Sequence, residues 1–157
     1  QEHIRPTHEI DLIELIDYVI KTYEKILSKN KIKLIFNKID NCKIIGDRDK
    51  LIEIFTNLID NSIKYSDKNK EIIITAKKDG DLVIISVADQ GIGIPKESIH
   101  RITERFFTVD PSKSRSVGGT GLGLAIVKHL VSQHRAEMNI NSIENQGTTI
   151  DIKFNSL

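Results

Sequence analysis

The chain predicts an α/β two-layer sandwich, with a mixed, largely antiparallel sheet and three main helices on one face. Three observations predict it. Apolar residues repeat at helical spacing in three separate stretches, β-branched runs occur in pairs joined by turn residues, and strict strand–helix–strand alternation is missing. The last of these argues against a doubly wound parallel sheet. At 157 residues the chain has room for one domain around a single core.

The elements follow in order. Residues 1–10 are polar and read as a linker, leaving one domain over residues 11–157. Residues 11–29 read as the first helix, because Leu12, Ile16, Val19, Ile20, Tyr23, Ile26 and Leu27 recur at its spacing. Asp11 and Glu14 form a capping pair, and Lys29 and Lys31 suit the negative end of the helix dipole. Strands are predicted at Ile32–Phe36 and Lys43–Ile45. Asp47 reads as the N-cap of a second helix that runs to Tyr65 and buries Leu51, Ile52, Phe55, Leu58, Ile59 and Ser62. Ile72–Ala76 and Leu82–Ala88 form a hairpin through Lys78-Asp79-Gly80-Asp81. From Asp89 to Gly119 the chain is irregular, apart from a short helical stretch at Ser98–Phe106. Gly121–Gln133 is the third helix, with Leu122, Leu124, Ala125, Val127 and Leu130 facing the core. Met138–Ile143 and Thr148–Phe154 close the sheet through Glu144-Asn145-Gln146-Gly147.

Composition removes several function classes. With 23 basic and 22 acidic side chains interspersed along the chain, no field points at nucleic acid or an anionic membrane. Cys42 is the single cysteine, which excludes an internal disulfide and any multi-cysteine zinc site, and fits a reducing compartment. No apolar run approaches the roughly 20 residues that span a bilayer. The chain as given reads as soluble and cytoplasmic, meeting a membrane only through regions that would precede it.

The chemistry is concentrated in glycines and one helix stripe. Six of the nine glycines fall in Asp89-Gln90-Gly91-Ile92-Gly93 and Gly118-Gly119-Thr120-Gly121-Leu122-Gly123. The second cluster runs into a helix, whose free N–H groups and positive dipole end make an anion site. No Gly-Lys pair occurs, so there is no P-loop, and Gly119-x-Gly121-x-Gly123 lacks the dinucleotide spacing. Asn57, Asn61, Lys64 and Tyr65 stand at i, i+4, i+7 and i+8, on the stripe opposite the apolar face of the second helix. Asparagine is a poor helix former, so two on one stripe cost stability without a packing return. Amide oxygens suit Mg²⁺ already carried by phosphates. Lys64 reads either as a phosphate ligand or as the i+4 partner of Asp60. Asp89 reads either as a turn residue or as an acceptor for the exocyclic amino group of adenine.

Asn57-Leu-Ile-Asp-Asn61-Ser-Ile-Lys64-Tyr65, Asp89-x-Gly91-x-Gly93, Glu104-Arg105-Phe106-Phe107, Gly119-Thr-Gly121-Leu-Gly123-Leu and Gly147-Thr148-Thr149 resemble, in order, the N, G1, F, G2 and G3 boxes of the catalytic ATP-binding domains of sensor histidine kinases. That resemblance implies a Bergerat-type fold with ATP between the second helix, the glycine clusters and a lid, and it assigns residues 11–157 to such a domain. It implies that Asn61 binds Mg²⁺ with Asn57 assisting, that Lys64 meets the phosphates, and that Tyr65 and Asp89 meet the adenosine end. Gly91, Gly93, Ile94, Gly119, Thr120, Gly121, Leu122, Gly123, Leu124 and Thr148 would complete the nucleotide site, with Arg105 joining Asn57 and Lys64 as the catalytic set. The implied partners are a histidine-bearing dimerisation domain of the same protein and a response-regulator receiver domain, with the isolated domain monomeric.

Two positions depart from the family pattern. Thr108 stands where an Arg often follows the paired aromatics, leaving Arg105, Lys113 or Arg115 to replace it, and Arg135 stands where Gly commonly ends the third helix. The segment from Thr108 to Gly118, rich in Ser and basic residues, reads as a lid or disorder. The same fold serves gyrase-, mismatch-repair- and chaperone-type ATPases and anti-sigma serine kinases. The ATPases resemble one another in carrying a glutamate four residues before the metal-binding Asn, as base for water. Here that position is Asn57, which favours transfer to a protein, histidine or serine, over hydrolysis. The phospho-accepting histidine is expected on a separate domain. His3-Ile4-Arg5-Pro6-Thr7 has its letters in the wrong order, and His8, His100, His129 and His134 read as surface residues.

Overall fold

The structure, a computed structural model, describes residues 7–66, 70–104 and 123–157. β1 (His8–Asp11) pairs antiparallel with β3 (Lys43–Gly46) as a separate two-stranded ribbon. β2 (Lys33–Lys38), β4 (Glu71–Asp79), β5 (Leu82–Asp89), β7 (Gly147–Asn155) and β6 (Glu137–Ile143) lie side by side in that order. β2 runs parallel to β4, and every other pairing in this sheet is antiparallel. The expected α/β sandwich with a mixed, largely antiparallel sheet is therefore the observed architecture.

Strand alternation decides which face is covered. Ile72, Ile74 and Ala76 of β4, Val83, Ile85 and Val87 of β5, and Ile150, Ile152 and Phe154 of β7 are buried on one side. Against them pack Leu12, Leu15, Ile16 and Val19 of α1 (Leu12–Thr22), the apolar stripe of α3 (Arg48–Lys64), and Leu124, Val127, Leu130 and Val131 of α4 (Gly123–Gln133). Phe55 of α3 meets Phe154 at 6.4 Å between ring centroids, joining the layers near their middle. Ile54 belongs to the fully buried set of α3, whereas Ile52 is only partly buried.

The caps are side chains that the sequence supplies. Asp11 accepts from the N–H groups of Ile13 (3.0 Å) and Glu14 (3.4 Å), and Asp47 accepts from that of Lys50 (3.1 Å). Three boundaries differ from the sequence reading. Residues 8–10 are not linker, because their backbone is spent on the ribbon and Ile10 is buried. The helix expected over residues 11–29 breaks at Tyr23 into α1 and α2 (Glu24–Lys29). The Thr22 hydroxyl takes the Val19 carbonyl at 2.6 Å, a local bond that competes with helix continuation. The short helical stretch expected at Ser98–Phe106 is a 3₁₀ helix over Lys96–Arg101.

His134, expected at the surface, is half-buried and structural. Its Nε2 accepts the Asp47 N–H at 3.2 Å, its Nδ1 lies 2.9 Å from the Leu130 carbonyl, and its ring stands edge-on to Phe154. A neutral ring with the proton on Nδ1 satisfies both contacts and ties the end of α4 to the start of α3. Arg135 follows at φ 56, and the Ala136 N–H returns to the Val131 carbonyl at 3.1 Å, closing α4 with a left-handed cap on a non-glycine residue. Burial holds the His134 pKa below its ordinary 6.5, so the unfolded chain takes up the extra proton first. The stability that His134 contributes is thus complete above pH 6.5 and declines as pH falls through that value. His134→Ala should cost about 1–3 kcal/mol at neutral pH, as expected for an orphaned buried donor. Thermal melting should also show that the parent's loss of stability on acidification across this window is reduced in the variant.

Candidate functional site

The site is built at one end of the sheet, where β5 stops and α3 ends. Asp89 is the last residue of β5, and its Oδ1 accepts the N–H of Gly91 at 2.9 Å and that of Thr148 at 3.2 Å. The Ser62 hydroxyl, buried on α3, donates to the same carboxylate. Burial pushes the Asp89 pKa up, and these three hydrogen bonds pull against it. An ionised carboxylate has about four lone-pair sites, so the protein occupies three and leaves acceptor capacity for a ligand donor.

Two glycines allow the surrounding backbone to close in. A Cβ on Gly91 would collide with the Tyr65 carbonyl oxygen, which sits at the end of α3 and accepts the Ile92 N–H at 3.3 Å. Gly93, at φ 71, passes against the Ile143 carbonyl at the tip of the β6–β7 hairpin, in a backbone region that favours glycine. Ile94 is buried, and its N–H donates to the Ser142 Oγ at 2.7 Å. That hydroxyl also reaches the Gly147 carbonyl at 3.0 Å and the Thr148 Oγ1 at 2.8 Å. The loop after β5 is therefore stitched to α3 on one side and to the β6–β7 hairpin on the other.

The second half of the site is the stripe on α3. Asn57 donates from Nδ2 to the Glu53 carbonyl at 2.8 Å, which leaves its amide oxygen as the outward group. That oxygen lies 3.5 Å from where a Cβ on Gly123 would stand, at the first described turn of α4, so Asn57 faces a helix N-terminus. Lys64 forms the i+4 pair with Asp60 at 3.0 Å, the plainer of the two readings open to it from sequence. Asn61 and Tyr65 follow on the same helix end, both half-exposed. Leu124 is buried beneath α4. Arg105, Gly119, Thr120, Gly121 and Leu122, like the Thr108–Gly118 segment, lie outside the described residues.

The donor set fits Mg²⁺ brought by a polyphosphate. Asn57 and Asn61 offer neutral amide oxygens on one helix face, and no cluster of three His, Cys, Asp or Glu exists among the described residues to hold a bare metal. A cleft of about 600 Å³ lined by Ile99, Lys128, Val131, Arg135, Met138 and Ile140 lies against the C-terminal half of α4 and contains none of these groups. Ser62 and Ser142 were not visible from sequence as site residues. Ser62 reads as part of an apolar face, although a hydroxyl in that row was itself a signal of a buried partner. Nothing local marks Ser142.

Residues 46–156 match the family of histidine kinase-, DNA gyrase B- and HSP90-like ATPases. The chain belongs to this family. Among its relatives, the sensor-like histidine kinase SenX3 of Mycolicibacterium smegmatis is 32% identical over 153 residues, covering 98% of this chain and 40% of the relative. The chain thus spans about two fifths of that protein's length. Among solved structures, the nucleotide-free catalytic domain of the histidine kinase ThkA superposes with a TM-score of 0.84 at 28% identity, covering 96% of this chain and 95% of the other. The histidine kinase ThkA in complex with the response regulator protein TrrA gives a TM-score of 0.81 at 25% identity, covering 96% and 42%. The fold and the expected family agree with these likenesses.

If Asp89 reads adenine, Asp89→Asn should weaken ATP by about 10- to 100-fold, the range for losing a hydrogen bond to a charged acceptor, and narrow the preference for ATP over GTP. Titration calorimetry with both nucleotides checks this. Equal ATP affinity in parent and variant would remove Asp89 from the base-binding role.

Proposed function

We propose that the chain binds Mg·ATP and donates the γ-phosphoryl group to a histidine on a separate helical dimerisation domain of the same protein. The observation that carries this reading is Asn57, whose amide oxygen faces the N-terminus of α4 at Gly123. The space between an amide-lined helix and a helix N-terminus suits a phosphate chain bearing a hard cation. Asn57 has no basic lone pair to take a proton from water, so hydrolysis is disfavoured at the position where related ATPases use a carboxylate.

The resemblance to the family implies the role of each site residue. Asp89 accepts the adenine amino group, while Gly91, Gly93, Ile94 and Thr148 shape the backbone around the base. Tyr65 covers the adenosine end, and Lys64, paired with Asp60, offers its remaining donors to the phosphates. Asn61 and Asn57 would hold Mg²⁺, which supplies neutralisation of phosphate charge when bound. The glycine-rich run from Gly119 to Gly123 would carry the phosphates, with Arg105 near the transferred group. An imidazole nitrogen of the acceptor then forms an N–P bond as the bond from the γ-phosphorus to the bridging oxygen breaks and ADP leaves. Positioning and charge stabilisation supply the rate, so the acceptor must be held in line.

The domain would extend from β1 to the C-terminal strand, monomeric alone, with a response-regulator receiver domain as the next acceptor, by analogy with the ThkA–TrrA complex. ATP use and a buried, reduced Cys42 suit the cytoplasm. Among the described residues no helix is long and apolar enough to cross a membrane.

Given γ-labelled ATP, the chain alone should stay unlabelled. Adding the parent protein's histidine-bearing domain should give label at a rate that rises with either concentration. The label should vanish in acid, as phosphohistidine does. Acid-stable label would instead favour the serine-kinase reading.

A further inference from the structure

Lys64 pairs with a residue of its own helix that a residue from outside the helix approaches. Thr56, Asp60 and Lys64 stand at i, i+4 and i+8 of α3, a row beside the Asn57–Asn61 stripe. Asp60 Oδ2 lies 3.0 Å from Lys64 Nζ. On the other side of Asp60 stands Tyr23, the residue at which the first helix breaks, with its hydroxyl 3.4 Å from the Thr56 carbonyl. The Asp60 carboxylate lies near enough for its charge to act on the same hydroxyl. Burial first, then the nearby Asp60 carboxylate, push the Tyr23 pKa up to about 12, so it stays protonated at any physiological pH. The break between α1 and α2 thus delivers a hydroxyl to a carboxylate that has a lysine on its far side.

We propose that Tyr23 and Asp60 are positioning residues for the phosphate-binding Lys64. This rests on the nucleotide reading above. An ammonium has three donors, so Lys64 can leave one on Asp60 and offer two to phosphate oxygens. A free lysine side chain loses rotamer entropy on being fixed, and a partner that fixes it beforehand lowers what phosphate binding must spend. Asp60 without Tyr23 would be an ordinary half-exposed i+4 partner. The hydroxyl from the α1–α2 break gives it one orientation, and it makes the upstream helix pair part of the nucleotide site.

The test is a double-mutant cycle read by calorimetry, with Mg·ATP and adenosine titrated into the parent, Asp60→Asn, Lys64→Ala and the double variant. Asp60→Asn should weaken ATP by about fivefold, the factor carried by the upper range of coupling between such charges, and leave adenosine unchanged. In the Lys64→Ala background, Asp60→Asn should have no further effect on ATP, because an orienting residue acts only through what it orients. Tyr23→Phe should shift ATP in the same direction by less. Unchanged or tighter ATP binding in Asp60→Asn would overturn the proposal, and so would a loss that persists without Lys64. If the parent binds no ATP, the nucleotide reading fails and takes this inference with it; if the parent binds ATP and Lys64→Ala binds it equally, the nucleotide reading stands and this inference is overturned.

Discussion

One half-buried carboxylate ties together the end of the sheet where β5 stops. Asp89 draws in the backbone of Gly91, the backbone of Thr148 and the hydroxyl of Ser62, which belong to the loop after β5, the closing hairpin and α3. Burying that charge is unfavourable, and its raised pKa records the cost. Three donors offset part of it. The acceptor capacity left over lies where, on the proposed reading, the adenine amino group would donate. A cost to stability at such a position is an expected compromise with function.

A second constraint sets α3 against α4. α3 presents Asn57 to the beginning of α4, while His134 at the other end of α4 accepts from the backbone at the start of α3. Along their length the two helices share one core through Leu51, Phe55, Val127 and Leu130. This arrangement fixes the start of α4 opposite Asn57. It also explains why a histidine with no catalytic partner occupies a half-buried position.

Much of this was legible in the sequence, and what was missed has physical reasons. Asp11 and Asp47 announced their helix starts, and the alternation of Ile72, Ile74 and Ala76 announced a one-sided sheet, because both signals are local. The amide stripe stood out because asparagine at helical spacing lacks a packing reason. The break at Tyr23 was hidden, since apolar periodicity continues through it and its cause is a single hydroxyl, that of Thr22, bonding back to the Val19 carbonyl. The ribbon of β1 with β3 was hidden too, as its short polar strand gains its partner only from tertiary structure. His134 and Ser62 were read as surface and as core filler because a lone polar residue reveals its partner only when distant segments meet.

The central claim is that Asp89 acts as an ionised acceptor for the nucleotide base. A ¹³C titration of its carboxyl group by NMR, with and without Mg·ATP, tests it most directly. The free protein should titrate above the ordinary carboxylate value of 3.8. Bound ATP should lower that value, because a donor to the ionised form favours it, while GTP should leave it in place. A pKa that ATP leaves unmoved, or that GTP lowers equally, would contradict the claim.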